Sequence, residues 1–289
     1  MEKINPLKIL VLGSTGMLGH MVCRTLSEMG VYELFDLSFS HKLNPGTIIC
    51  DVQDTVELDK IIHKIKPDYI INCVGVLIQK SNQNKERAIF INAYFPHYLQ
   101  RLSEQLNFKL IHISTDCVFD GEKGGYSENS LVNAHDTYGK TKALGEFNNQ
   151  KHLCIRTSII GPEIKKNGQG LIHWLFNQKG VIYGFKNTFW GGVTTLELSK
   201  AIHFSIQNQI TGLWNLTNGE SISKYSLLEK IINEFSLKEI TLLSSSKKLS
   251  NKSLTSIRGI NYKVPSYDQM LMEMKSNFDY NKSIYSYSI

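Results

Sequence analysis

Hydrophobic positions change their period along this chain. Residues 8–12 (KILVL) form a short apolar run that stops at a glycine-rich turn, Gly13-Ser-Thr-Gly16-Met-Leu-Gly19. From Met17 to Met29 the apolar Leu18, Val22, Leu26 and Met29 recur at intervals of four and three, a helical period. The pattern then predicts strands over residues 32–37 and 47–52, and a helix over 56–65 that ends before Pro67. A buried strand is expected over 69–75 (YIINCVG), a long helix over 86–106, and a strand over 110–115 (LIHIST). Another helix begins at about Tyr138, and a strand follows over 153–157 (LCIRT). Strands alternating with helices predict a parallel sheet covered on both faces. Such sheets bind ligands at the carboxyl ends of their strands. Gly13, Asn72, Gly75, Thr115 and Ser158 all fall at predicted strand ends.

After about residue 160 the texture changes. Glycines and aromatics are irregular through 161–192, helices are expected over 195–207 and 223–235, and the Ser/Lys-rich stretch 244–256 reads as a surface loop. No internal repeat is present. The expected organisation is a dinucleotide-binding domain over residues 1–160. A smaller substrate-binding lobe would follow over 161–289, partly interleaved with the sheet.

Composition sharpens this little. The 289 residues are 42% hydrophobic and 20% charged, which suits an ordinary globular protein with a sizeable core. No apolar run approaches the ~20 residues of a membrane span, and the opening Met-Glu-Lys-Ile-Asn-Pro leads straight into a strand, so no signal peptide is expected. The net charge of +6 reads first as a solvated surface and second as a basic pocket for phosphates; no Lys/Arg block marks a nucleic-acid patch. Five cysteines without a Cys-x-x-Cys pair read as buried thiols of a reducing cytoplasm.

The glycine loop sits between a strand and a helix, the context a dinucleotide fingerprint requires, though its spacing departs from G-x-G-x-x-G by one residue. Gly13 would make the tight turn, Gly16 would admit the pyrophosphate, and Gly19 would let helix and strand pack closely. Amides near Met17 and Leu18 would face the phosphates. Asp36, near the end of the second strand, suits the adenosine ribose of NAD. Ser38, Ser40, His41 and Lys42 behind it suit a 2′-phosphate, and the reading leans to NADPH with NADH as the alternative. Asp51 and Val52 would meet the adenine, or simply close a strand. Gly75 would clear space for the cofactor and Asn72 would tie the sheet edge.

Tyr138-Gly-Lys-Thr-Lys142 lies 23 residues after Thr115. On a helix, Tyr138 and Lys142 share one face. A phenol beside an ammonium is a tunable proton donor, which suits reduction of a carbonyl. Poising a phenol near neutrality takes about 3 pH units, or about 4 kcal/mol. Thr115 would add a second hydroxyl at the developing alkoxide.

Together, Gly13-x-x-Gly16-x-x-Gly19, Ser114-Thr-Asp-Cys-Val-Phe-Asp-Gly121 and Tyr138-Gly-Lys-Thr-Lys142 resemble an extended short-chain dehydrogenase/reductase, and within that group the dTDP-4-dehydrorhamnose reductases. The S-T-D-x-V-F-D-G stretch is the specific signal. Arg156-Thr-Ser158 and Gly212-Leu-Trp-Asn-Leu fall in the family's order, and the likeness covers about residues 7–270. It implies an α/β fold: a Rossmann-type doubly wound parallel sheet with a smaller C-terminal substrate-binding lobe. It implies reduction of the 4-keto group of a nucleotide-linked 6-deoxyhexose for surface polysaccharides, with Thr115, Tyr138 and Lys142 as the catalytic set. The candidate cofactor residues are Gly13, Thr15, Gly16, Met17, Leu18, Gly19, Asp51, Val52, Cys73, Val74, Gly75, Ser114, Tyr138 and Lys142. The candidate substrate residues are Thr115, Asp116, Cys117, Trp190 and Arg258. Asn92 and Ser158 are read equally as site or packing residues, and His135 as a loop residue.

Departures are plain. Cys117 stands where the family usually has Tyr, and residues 187–194 (NTFWGGVT) replace its D-Q-x-G-x-P-T stretch. Met21 stands where some members carry a carboxylate tied to magnesium and dimer formation, so no metal is expected, and a homodimer stays open. These departures point to a divergent branch and leave an N-acetylated or UDP-linked sugar open. A non-catalytic nucleotide-binding subunit, or an NAD-dependent epimerase or dehydratase, are the alternative readings.

Overall fold

The computed structural model describes residues 5–287 and residue 289. Its strands are β1 (Leu7–Leu12), β2 (Tyr32–Ser38), β3 (Ile48–Ile49), β4 (Tyr69–Asn72), β5 (Lys109–Thr115), β6 (Leu153–Thr157) and β7 (Ile159–Ile160). They continue with β8 (Gly180–Phe185), β9 (Thr188–Trp190), β10 (Val193–Thr194), β11 (Gly212–Asn215), β12 (Ile222–Ser223), β13 (Ile240–Ser245) and β14 (Ser250–Asn251). Seven of these form one sheet in the order β11-β6-β5-β4-β1-β2-β3. The ladders of β1 with β2 and β4, of β2 with β3, and of β4 with β5 are parallel. The chain runs outward from β1 to β3 and then returns to lay β4 on the other side of β1. That reversal opens the crevice in which sheets of this kind hold ligands.

The helices are α1 (Gly19–Met29), α2 (Thr55–Ile65), α3 (Ile78–Gln83), α4 (Lys85–Ala88), α5 (Phe95–Leu106) and α6 (Thr137–Leu144), then α7 (Leu171–Phe176), α8 (Thr195–Gln207), α9 (Lys224–Glu234) and α10 (Tyr267–Tyr280). Ile9 to Leu12 of β1 and Ile70 and Ile71 of β4 are wholly buried. A strand covered on both faces needs such continuous apolar sequence. Asp54 caps α2 by accepting the Glu57 N–H, and Gly30 ends α1 in the left-handed region.

The chain divides into two compact units. One comprises the chain through Ser114, with His135–Ile155 and Ser199–Leu213. Its core joins β1, β4 and β5 to α2 and α5 through Leu10, Ile70, Leu110, Leu58, Ile62, Phe95 and Leu99. The other comprises Thr115–Ala134, Arg156–Leu198 and the chain from Trp214 on. It contains the parallel pair β8–β13, the three strands β12-β9-β14, and a cluster of Phe176, Phe235, Phe278 and Tyr287.

Several elements differ from their sequence expectation. The helix expected over 86–106 is three pieces: α4, a π-helix at Ile89–Tyr94, and α5. Pro96, which has no N–H to offer the preceding turn, sits where the π-helix passes into α5. The strand expected over 47–52 shrinks to Ile48–Ile49, because Thr47 instead accepts the Leu43 and Asn44 N–H groups and closes a turn. The expected loop 244–256 holds the end of β13 and all of β14, which pairs with β9. Backbone ladders with a distant partner hold this polar segment, and its own periodicity does not reveal them.

Candidate active site

The glycine loop is fixed by backbone. The N–H groups of Gly13 and Ser14 both donate to the Leu37 carbonyl, at 2.8 and 3.0 Å, and Gly16 N–H donates to Gly13 O at 2.9 Å. Gly13 has φ +84°, which favours glycine. A Cβ on Gly19 would lie 2.1 Å from the Gly13 carbonyl oxygen, so only glycine allows α1 to start this close to the turn. Thr15 and Leu18 are buried, while Gly16 and Met17 are partly exposed at the rim. Two buried oxygens here, Ser14 Oγ and Asp36 Oδ2, have no hydrogen-bond partner among the described residues. Asp36 Oδ1 accepts from Asn44 Nδ2 at 3.0 Å. Unsatisfied acceptors beside a glycine turn fit a ligand bearing hydroxyl groups, and buried polar atoms left so are rare. These oxygens thus suit a dinucleotide.

Ser38 donates to the His41 carbonyl, Ser40 Oγ lies 2.8 Å from His41 Nδ1, and Lys42 Nζ donates to Pro45 O at 3.4 Å. These groups are engaged locally rather than with Asp36. Asp51 Oδ2 lies 3.5 Å from Arg87 Nη1, whose guanidinium stacks 5.2 Å from the Phe39 ring, and Val52 is buried beside it.

The ends of β4 and β5 meet α6. Asn92, on the π-helix and wholly buried, accepts the Val76 N–H at 2.9 Å and donates to Val76 O at 3.0 Å and Thr141 Oγ1 at 3.2 Å. It therefore ties Val76, next after the Cys73–Val74–Gly75 segment, to the helix that carries Tyr138. π-turns often mark such sites. Asp136 caps α6 by accepting the Gly139 N–H. At the other end, a Cβ on Gly145 would lie 2.0 Å from Asn92 O. Tyr138 is half-buried, and Lys142, one turn on, is buried. Lys142 Nζ donates to Ile113 O at 2.6 Å and lies 3.2 Å from His112 Nε2. Burial lowers Lys142 to about 8. Burial and then the Lys142 charge hold His112 well below its ordinary value, and burial pushes the Cys73 thiol up to about 12. Ser114 donates to Glu146 Oε1 at 2.6 Å, which leaves its oxygen as an acceptor for any ligand.

In the other unit, Thr115 Oγ1 donates to Asp116 Oδ1 at 3.2 Å and accepts the Cys117 N–H at 3.1 Å. Burial raises Asp116, against the pull of Lys224 and Lys252. Burial, followed by Asp116, pushes Cys117 up to about 12. Trp190 is 3% exposed, faces Tyr267 at 5.7 Å, and has Lys224 Nζ 5.5 Å from its ring centroid. Arg258 is exposed. Ser158 lies between β6 and β7, and His135 is exposed ahead of α6.

Four residues escaped the sequence reading: Ser14, His112, Glu146 and Lys224. His112 alone left a local signal, a polar ring inside the apolar run LIHIST. The other three owe their place to contacts with distant segments.

The family described as RmlD substrate binding domain matches residues 7–262. The chain belongs to this family. A dTDP-4-dehydrorhamnose reductase of Aggregatibacter actinomycetemcomitans is 31% identical over 166 residues, which is 55% of this chain; the match spans about half (54%) of that relative's length. The spore coat polysaccharide biosynthesis protein SpsK of Bacillus subtilis is 25% identical over 252 residues, 85% of each chain. Methionine adenosyltransferase 2 subunit beta of Xenopus tropicalis is 23% identical over 244 residues, covering 80% of this chain and 72% of that one. Among solved structures, a dTDP-4-dehydrorhamnose reductase of Bacillus anthracis in complex with NADP has a TM-score of 0.81 at 20% identity, covering 96% of this chain and 100% of that one. A hypothetical dTDP-4-dehydrorhamnose reductase of Sulfolobus tokodaii has a TM-score of 0.77 at 28% identity, covering 91% and 98%. The family's Rossmann-type sheet is the fold described above. Met21, in place of the carboxylate some members carry, is 1% exposed within α1. No helix among the described residues is long and apolar enough to cross a membrane.

Proposed function

We propose that this chain reduces the 4-keto group of a nucleotide-linked 6-deoxyhexose, with NADPH or NADH as reductant. The observation that carries the reading is Lys142: a buried lysine, anchored on the Ile113 carbonyl of β5, one helical turn beyond Tyr138. Burying an ammonium is costly, and such perturbed groups cluster at functional sites. The reduced cofactor supplies the hydride. Tyr138 gives its phenolic proton to the developing alkoxide, and the Lys142 charge helps the phenol release it. Thr115 turns its hydroxyl from Asp116 to the same oxygen. The loop from Gly13 to Gly19 holds the pyrophosphate at the start of α1. Cys73, Val74 and Gly75 line the nicotinamide side. Asp116, Cys117, Trp190 and Arg258 serve the sugar nucleotide.

Asp36 decides part of the cofactor choice. Its unpartnered Oδ2 suits a ribose hydroxyl and repels a phosphate in the same place. Asp36→Asn is therefore expected to raise the Kd for NADH by about tenfold, through loss of a charged hydrogen bond worth roughly 1.5 kcal/mol, while NADPH binding holds or tightens. Titration of both reduced cofactors, followed by nicotinamide fluorescence, reads this; an equal loss for both would remove Asp36 from the ribose.

The similarity to a methionine adenosyltransferase subunit supports a second reading, a nucleotide-binding regulatory subunit. Such a role needs no Thr115, Tyr138 and Lys142 together. Epimerase or dehydratase chemistry is disfavoured by Cys117, since dehydratases place a second acid at that position. The deciding experiment supplies dTDP-, UDP- and GDP-linked 6-deoxy-4-keto-hexoses with each reduced cofactor and follows absorbance at the nicotinamide band. Oxidation with at least one sugar is expected; silence across the panel would favour the regulatory reading.

A further inference from the structure

Two nitrogens meet behind the candidate catalytic helix. Besides the Ile113 carbonyl, Lys142 Nζ has His112 Nε2 at 3.2 Å, and His112 has no exposed surface. The other ring nitrogen, Nδ1, lies 3.1 Å from Asn72 Nδ2. Asn72 cannot turn its amide over, because its Oδ1 accepts the Val74 N–H at 3.1 Å. The amide nitrogen therefore donates to Nδ1, and Nδ1 is the bare nitrogen of the ring. A neutral imidazole then carries its proton on Nε2, aimed at the Lys142 nitrogen. An amine can accept that hydrogen. An ammonium has no lone pair with which to do so.

We propose that Asn72 and His112 form a positioning pair behind Lys142, in which the Nε2–H fixed by Asn72 favours the amine over the ammonium and so sets the pH at which Lys142 loses its charge. Its meaning for catalysis rests on the reductase reading; its electrostatics do not. The pair acts alongside the burial that already lowers Lys142 from 10.5 to about 8. Cys154 on β6, Glu146 beyond α6 and Cys73 beyond β4 face Lys142 and favour its charged form. Tyr138 stands one turn before it on α6, and His97 on α5 faces His112. Because burial and Lys142 keep His112 uncharged through neutral pH, the ring is a fixed dipole there rather than a second titrating group.

Two substitutions test the pair by separate routes. His112→Asn keeps an acceptor for Asn72 and removes the hydrogen aimed at Lys142. Asn72→Asp puts a carboxylate oxygen against Nδ1, draws the ring proton there, and turns Nε2 into an acceptor. Both should keep Lys142 charged to higher pH. The first readout needs no substrate: denaturant unfolding from pH 7 to 10.5 of each protein against its Lys142→Met derivative. The folded value of Lys142 lies below its unfolded value, so its charge costs stability in full below about pH 8. That cost fades as the pH rises through 8 toward 10.5. In both variants the fading should begin about one pH unit higher. The second readout is the basic limb of kcat/KM for sugar reduction, which should move up equally. An onset that stays in place or moves down in the folded variants would overturn the pair, since a downward shift means Nε2 was accepting from the ammonium. Should one variant fail to fold, the other decides. An upward onset without turnover on any sugar would uphold the pair and remove the reductase reading.

Discussion

Tyr138→Phe is expected to lower kcat by roughly 10²–10⁴-fold, the usual worth of a positioned general acid, with cofactor binding unchanged. The substitution removes one oxygen from a half-buried ring on α6 and leaves the helix intact. The Asp136 cap, the Thr141 bonds to Asn92 and to the α6 backbone, and the Lys142 anchor on β5 do not use that oxygen. With these contacts kept, α6 should stay folded, and cofactor titration should give a similar Kd. The loss should fall on kcat and kcat/KM together, because the proton is needed only as the alkoxide forms. Steady-state kinetics with the active sugar nucleotide checks it. Turnover near wild type would mean that Tyr138 donates nothing.

Gly19→Ala is expected to destabilise the chain by about 3 kcal/mol or more, the upper range of overpacking, and to abolish cofactor binding in what remains folded. The added methyl would sit 2.1 Å from the Gly13 carbonyl oxygen and 3.0 Å from Ser14 Cα. Both are backbone, and both belong to the turn held by the Leu37 carbonyl. Relief requires α1 or the turn to move, and either motion displaces the amides that would meet the pyrophosphate. Gly30→Ala is the control. No atom lies within 4 Å of its added Cβ, but its φ of +67° is left-handed, so it should cost only the about 1–2 kcal/mol of that conformation. Denaturant unfolding of both proteins, with a cofactor-induced thermal shift, separates collision from backbone strain. Equal losses for the two would mean that the loop yields.

The alternation of strands and helices through residue 157 is legible where an element follows one clear period, as β1, α1, β4 and β5 do. Residues 8–12 read as a buried strand because the run is short, aliphatic and stopped by a glycine turn, and the 3–4 spacing from Leu18 to Met29 reads as a helix with one apolar face. The glycine loop was legible for the same reason, as three glycines between those two signals. The π-turn over Ile89–Tyr94 was not. Its apolar residues fit a helical repeat well enough that one long helix was the natural reading. The wider backbone winding of Ile89–Tyr94 leaves no mark in the side-chain period. After residue 160 the short strands β8, β9, β13 and β14 pair across tens of residues, and such pairing leaves no local period to read.

Residue type and order alone determined a great deal of this protein. They placed a glycine-rich turn after the first strand and put Tyr138 and Lys142 on one helix face. They also marked Thr115 as the end of a strand, because these features depend on chemistry within one segment. The tertiary structure alone decided the electrostatic state of that chemistry. It left Asp36 Oδ2 buried without a partner, anchored Lys142 on the Ile113 carbonyl, and set His112 and Asn72 behind it. The physical reason is distance. A charge is governed by its burial and by dipoles within a few ångströms, and here those dipoles come from strands 30 and 70 residues away along the chain.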